Sequence, residues 1–178
     1  MHPGDRLWRH LMQSLCRRKS VMKIPDHIKL FWRGFLNSDS CPNNANDLFQ
    51  ASYKIGSNES GANEGAKLIL SCEKTATSRL LWDLEKNGEP LPKVGDLCVI
   101  EDGSGKPVCV VQTTWVETIR FRDLDAGFAR DYSETDGTLE DWYRVFGEYY
   151  SEECTAMNRV LTDETPLVCQ RFQVIYSR

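Results

Sequence analysis

Seven consecutive residues, Glu73-Lys74-Thr75-Ala76-Thr77-Ser78-Arg79, place an amine, three hydroxyls and a guanidinium directly after an apolar stretch. A lysine drawn out of water loses proton affinity and can act as base or nucleophile, and a neighbouring hydroxyl can be activated by it or hold a carbonyl or anionic substrate. Lys74 and Thr77 are therefore the first catalytic candidates, with Thr75, Ser78 and Arg79 as groups that would hold a phosphate or a base edge. The competing reading of such a run is helix-end capping followed by a solvated strand. The sequence shows no Ser/His/Asp constellation, no GxxxxGK[ST] and no GxGxxG, so nucleoside triphosphate hydrolysis and hydride transfer have no support.

Further residues carry weaker signals. Trp82, Trp115 and Trp142 could stack a nucleobase, against the plainer alternative of core burial; Trp115 ends a strand close to Glu117. The acidic run Glu134, Asp136, Glu140 and Asp141 has carboxylates suited to a hard cation, which a ribonuclease would use, although helix capping explains most of it. Seven cysteines show no CxxC and no Cys/His pair at ligand spacing, so no metal site is assigned. A divalent ion enters only with the ribonuclease reading; otherwise no cofactor is expected. His27, at a helix start, reads as solvated or structurally bonded.

The elements that must position these groups follow from length and pattern. The chain has 178 residues, 40% hydrophobic, with five Trp, seven Phe and six Tyr, a composition that excludes disorder and suits one folded body. Residues 1–23 carry a net charge of +5, leaving the rest acidic, so residues 1–22 are read as a basic N-terminal extension, helical or disordered, and 23–178 as the domain. An acidic body argues against a broad nucleic-acid face; any such role belongs to a local pocket. No apolar window is long enough to span a membrane, and the odd cysteine count without a secretory signal points to a cytoplasmic location. Oligomeric state is not readable.

Asp26 is expected to cap a helix over His27 to Asn37, followed by a polar loop to Asp47 and a strand over 48–55. A helix over 62–72 delivers the Lys74 segment. Strands over 97–101 and 108–116 flank the 102–106 hairpin loop, a helix runs from 138 to Tyr149, and a strand over 167–176 closes the chain. Helices and short strands in this order, without strand-helix-strand repetition, predict a mixed α+β domain: a small curved sheet or partial barrel flanked by helices.

Lys74-Thr75-Ala76-Thr77 before Leu80-Leu81-Trp82, Val94-Gly95-Asp96 before a strand, Pro107 to Val116 with Glu117 and Phe121, and Phe128-Ala129, Glu134, Asp136, Thr138-Leu139 and Trp142 occur in an order that resembles the ASCH domain family. The resemblance covers about residues 28–176. It implies a PUA-like, β-barrel-like fold with a cleft for RNA or a nucleotide. Some small relatives are amidohydrolases that deacylate N4-acetylcytidine with a Lys, a Thr and a Glu, and a larger one is a ribonuclease. Carried over, the Lys falls on Lys74 and the Thr on Thr77. The acidic position falls on Tyr132, whose phenol cannot do carboxylate chemistry at neutral pH. Glu134 replaces it only if the loop re-registers, and Glu117 is the other carboxylate candidate for the leaving amine's proton. Phe146 stands where longer members carry a His. The implied mechanism has Lys74 deprotonate Thr77 or a water that attacks an amide carbonyl. Two readings stay open: a hydrolase acting on an acylated nucleoside or RNA, and a non-catalytic RNA-binding or regulatory module. A Glu134 oxygen within reach of Lys74 or Thr77 favours the first.

Overall fold

The computed structural model describes residues 23–177; the basic segment 1–22 lies outside them. Helix α1 (Lys29–Leu36) follows a 3-10 turn at Asp26–Ile28, and α2 (Ala45–Leu48) leads into strand β1 (Phe49–Lys54). Then come α3 (Glu59–Leu70), β2 (Ala76–Leu80), α4 (Leu81–Asn87), β3 (Leu97–Glu101) and β4 (Pro107–Arg120). The chain continues through α5 (Ala126–Tyr132) and α6 (Leu139–Ala156) to β5 (Pro166–Ser177). The five strands form one sheet in the order β1-β3-β4-β5-β2, curled into a half-barrel with helices flanking it. The mixed α+β expectation, with a curved, barrel-like sheet, holds.

The curl has a local cause. The β4–β5 register shifts at Val110/Val111 and again at Thr113/Trp115, and such bulges bend the strand and raise its twist. β3 is buried along its whole length because both faces are covered. Leu97 and Val99 pack with Phe31, Trp32 and Phe35 of α1, whereas Ile100 packs with Ile69 of α3 on the other face. Each such side chain contributes about 1.5–3 kcal/mol on burial. This end of the sheet is therefore structural. Gly65 lets α3 approach β1, since a Cβ there would sit 2.7 Å from the Ile55 carbonyl oxygen. The third cluster, which supports the candidate site, joins β2, β5 and the C-terminal half of β4 to α5 and α6 through Leu80, Leu167, Phe128, Trp142 and Tyr150.

Several boundaries differ from the expectations. Asp26 does not cap a helix; its carboxylate pairs with Lys29, and Pro25 occupies the cap position of the 3-10 turn. The expected 37–47 loop ends in the short α2. Helix α3 starts three residues before Ala62, capped by Asn58 Oδ1 on Gly61 N at 2.9 Å, and stops at Leu70. Helices α4 and α5 are additional, because each is only seven residues long and shows barely two turns of pattern. α4 ends on Gly88, whose φ of 65° suits a residue without Cβ. β4 extends to Arg120 rather than Val116. The sheet also contains a parallel pair, β1 with β3, reached through a long crossover that the local pattern did not reveal.

Candidate functional site

Lys74 is seated by the turn between α3 and β2. The amides of Glu73 and Lys74 both donate to Leu68 O at 3.0 Å, with Cys72 at φ 60° reversing the chain. Thr75 N then donates to Asp131 O at 2.8 Å and Phe172 N to Thr75 O at 2.9 Å, fixing the segment between α5 and β5. In β2, alternate residues Ala76, Ser78 and Leu80 are buried.

The Lys74 side chain is fully buried, and its three N–H donors are committed: to Ala76 O at 2.8 Å, to Tyr132 O at 3.0 Å and to Glu134 Oε1 at 2.7 Å. Tyr132 is the last residue of α5, so the ammonium sits at the negative end of that helix. The Tyr132 ring lies beneath it, with Nζ 3.7 Å from the centroid. Burial lowers the Lys74 pKa from its ordinary 10.5 to about 8, with Glu134 opposing the shift.

A turn after α5 brings Glu134 to the Lys74 amine. Ser133 adopts a left-handed conformation, φ 57°, immediately after α5 and turns the chain so that Glu134 reaches Lys74. The Glu134 side chain remains 29% exposed, so a solute can meet this carboxylate but not the amine behind it.

Tyr132 itself is 4% exposed and packs against Phe146, ring centroids 4.4 Å apart. Its phenol is pushed up to about 12, first by burial and then by the Glu134 charge, while hydrogen bonds from Ser78, Thr77 and Tyr150 pull the other way. Ser78 Oγ lies 2.7 Å from Tyr150 OH. Thr77, half-buried on the edge strand, thus joins Glu134 around one phenol.

The chain between Ala51 and Tyr176 matches the family model for the ASCH domain. The chain belongs to the ASCH domain family. Its structure superposes on the ASCH domain from Lactobacillus crispatus JV V101 with a TM-score of 0.78 and 27% identity, covering 87% of this chain and 98% of that one. Protein EF3133 from Enterococcus faecalis V583 is similar at a TM-score of 0.72 and 27% identity, over 83% of this chain and 87% of its own. Among curated proteins none matches.

In this ASCH domain, Lys74, Thr77, Ser78, Tyr132 and Glu134 come together and the other candidates do not. Ser78 is buried and bonded to Tyr150. Arg79 is held by Glu89 (Nη1 to Oε2, 2.7 Å) and by Asp83, so its charge is already neutralised and it does not wait for a phosphate. Thr75 contributes backbone contacts to Asp131 and Phe172. Trp142 is core, at 0% exposure, and Trp82 lies under Arg159 at 4.2 Å. Asp136 and Asp141 are helix-end groups of α6: Thr138 N donates to Asp136 Oδ1 at 2.8 Å, and Arg144 pairs with Asp141. Among the described residues no group of three His, Cys, Asp or Glu is arranged to hold a metal ion.

Glu117 and Trp115 line a separate cleft of about 390 Å³ between the C-terminal half of β4 and the start of α5, together with Phe128 and Asp125. Sequence reasoning missed Tyr150, Asp131, Arg171 and Asp125. Arg171 could have been flagged as a lone cation in an apolar closing strand; the Asp125 cap on Phe128 N, at 2.8 Å, had the Asp-before-helix signature. His27, read as structural, bonds Glu101 Oε1 at 2.8 Å, and Ser52 donates to the same oxygen. Because histidine and serine converge on one carboxylate oxygen, no Ser-His-acid relay forms there. Among the described residues no helix is long and apolar enough to cross a membrane.

Proposed function

We propose that this ASCH domain hydrolyses the amide of an N4-acylated cytidine or a similar acylated nucleoside, with Glu134 as the acid–base group and Thr77 as the hydroxyl facing the carbonyl. The observation that carries this reading is the 2.7 Å contact between Lys74 Nζ and Glu134 Oε1, on a carboxylate that is still partly open to solvent. Glu134 takes the proton of Thr77 or of a water as the oxygen attacks the amide carbonyl carbon. It then passes that proton to the departing exocyclic nitrogen as the C–N bond breaks and frees the amine. With water as the nucleophile the other product is the carboxylic acid; with Thr77 it is an ester on Thr77 that a second water, deprotonated by Glu134, hydrolyses to the acid while the Thr77 oxygen recovers its proton. Lys74 is a positioning residue here: fully buried, with every donor committed, it fixes the Glu134 rotamer through their 2.7 Å contact.

A small nucleoside is preferred to RNA, because Arg79 is paired with Glu89 and Asp83 and Ser78 with Tyr150, so neither of these candidates is held ready for a phosphate chain. The sealed Lys74 ammonium favours a second reading, a binding module with a rigid carboxylate and no turnover. Incubation with N4-acetylcytidine separates the two. Release of cytidine that falls by about 10²–10⁴ in Glu134→Gln establishes the hydrolase. Well-folded protein that binds but never turns over leaves the binding module.

A further inference from the structure

The cleft beside Trp115 lies at the opposite end of α5 from Lys74 and has different chemistry. The half-buried Trp115 supplies an aromatic wall, Ile119 adds apolar surface, and Phe128, buried at 1% exposure, backs the cleft with its ring centroid 6.3 Å from that of Trp115. The charges bordering it are unequal in their commitments. Arg120 pairs with Asp123 and, at 3.5 Å, with Glu164; Arg171 donates from Nε to Asp131 Oδ2 at 2.8 Å. Glu117 is exposed and, among the described residues, makes no hydrogen bond or ion pair; Asp125 spends Oδ1 on the α5 cap and has no cationic partner. Both carboxylates act on one buried neighbour, the Cys169 thiol, which burial pushes up to about 12, with Arg171 opposing the rise and the two carboxylates adding smaller contributions to it. The two aromatic faces already accept one cation of the protein's own: the Arg171 guanidinium lies 5.0 Å from the Trp115 ring and 5.3 Å from that of Phe128.

We propose that this cleft is a second ligand site, for a small, flat organic cation such as an amidine, a guanidine or a protonated amino-heterocycle, held against Trp115 with Glu117 and Asp125 as its counter-charges. Aromatic faces attract a cation through the ring quadrupole, and a carboxylate pair beside them adds a directional hydrogen-bond acceptor for its N–H groups. The volume suits a molecule of one or two rings. The same carboxylates repel phosphate, so the site refuses nucleotides. It is independent of the Lys74 chemistry, and either reading can fail alone.

Benzamidine, charged at neutral pH, and benzamide, its neutral isostere, test the charge directly. The full chain is titrated with each, and with cytidine 5′-monophosphate, by calorimetry and by nitrogen-15 NMR of the Trp115 indole N–H, assigned with Trp115→Phe. Benzamidine is expected to move that resonance and to bind about tenfold or more tightly than benzamide. Glu117→Gln and Asp125→Asn together should abolish the preference. Glu117 is exposed, and asparagine keeps the helix cap, so both substitutions leave the fold intact. Equal binding of the two probes, a preference that survives the double variant, or cytidine monophosphate moving the Trp115 signal would each overturn the assignment.

Discussion

Lys74 and Tyr132 contact each other twice: the ammonium donates to the Tyr132 carbonyl at 3.0 Å and also lies 3.7 Å above the centre of its ring. One residue therefore contributes both a helix-end acceptor and a π face to a buried cation. The ring holds the site, and the phenol oxygen serves the hydroxyl network behind it. Tyr132→Phe should leave the Lys74–Glu134 pair in place and cost about 1–3 kcal/mol through the partners it abandons, whereas Tyr132→Ala should cost about 3–5 kcal/mol. Urea unfolding of the two variants reads the difference.

Ser78 and Tyr150 form a buried hydroxyl pair, 2.7 Å apart. Ser78→Ala strands the phenol and Tyr150→Phe strands the serine, each at a cost of about 1–3 kcal/mol. Removing both should cost clearly less than the two single losses combined. Strict additivity in a double-mutant cycle would show that the pair is not coupled.

The lowered Lys74 pKa sets the sign of a pH effect. An unfolded chain keeps this proton up to about 10.5 and the folded chain releases it near 8, so between those values the unfolded state binds more protons and rising pH favours folding. Buried Tyr132, Cys98 and Cys169, all raised to about 12, act in the opposite direction at alkaline pH. The Lys74 contribution is isolated by difference: the stability of the native chain relative to Lys74→Met should rise from pH 8 to 10.5. A flat difference across that range contradicts the shift.

Ser133 holds its left-handed φ of 57° without being glycine. Ser133→Gly should gain up to about 1 kcal/mol from relieved strain while keeping Glu134 on Lys74. Ser133→Val should misplace the carboxylate, lowering kcat on an acylated nucleoside at least as much as it lowers stability.

Much of this was written in local pattern. Apolar runs in 97–101 and 167–176, the Gly103-containing hairpin loop, and Thr138 capping an acidic first turn all report short-range physics, and the strands and α6 formed accordingly. Lys74 and Thr77 stood out because three hydroxyls and a lysine rarely follow an apolar helix. The Tyr132 problem was visible too, since counting along the chain places no carboxylate there. Glu134 replaces it on condition that the loop re-registers, and what the pattern did not show is the left-handed backbone angle at Ser133, seldom adopted by serine, that carries Glu134 to Lys74. Arg79 and Ser78 misled for a related reason. Glu89 reaches Arg79 from just beyond the short α4, which the pattern did not reveal, and Tyr150 comes 72 residues later on α6, a pairing that only the tertiary fold makes.

The strand order also bears on biosynthesis. β5 is fifth in the chain yet lies between β4 and β2, and β2 pairs with no other strand. On the ribosome, then, residues 76–80 must wait as an unpaired segment until residues 166–177 leave the exit tunnel. Lys74 likewise waits for Tyr132, 58 residues downstream, and for Glu134 just beyond it. The buried cation is among the parts of the molecule assembled late in translation, and slow synthesis of the intervening 80 or so residues leaves the edge of β2 exposed to other nascent chains.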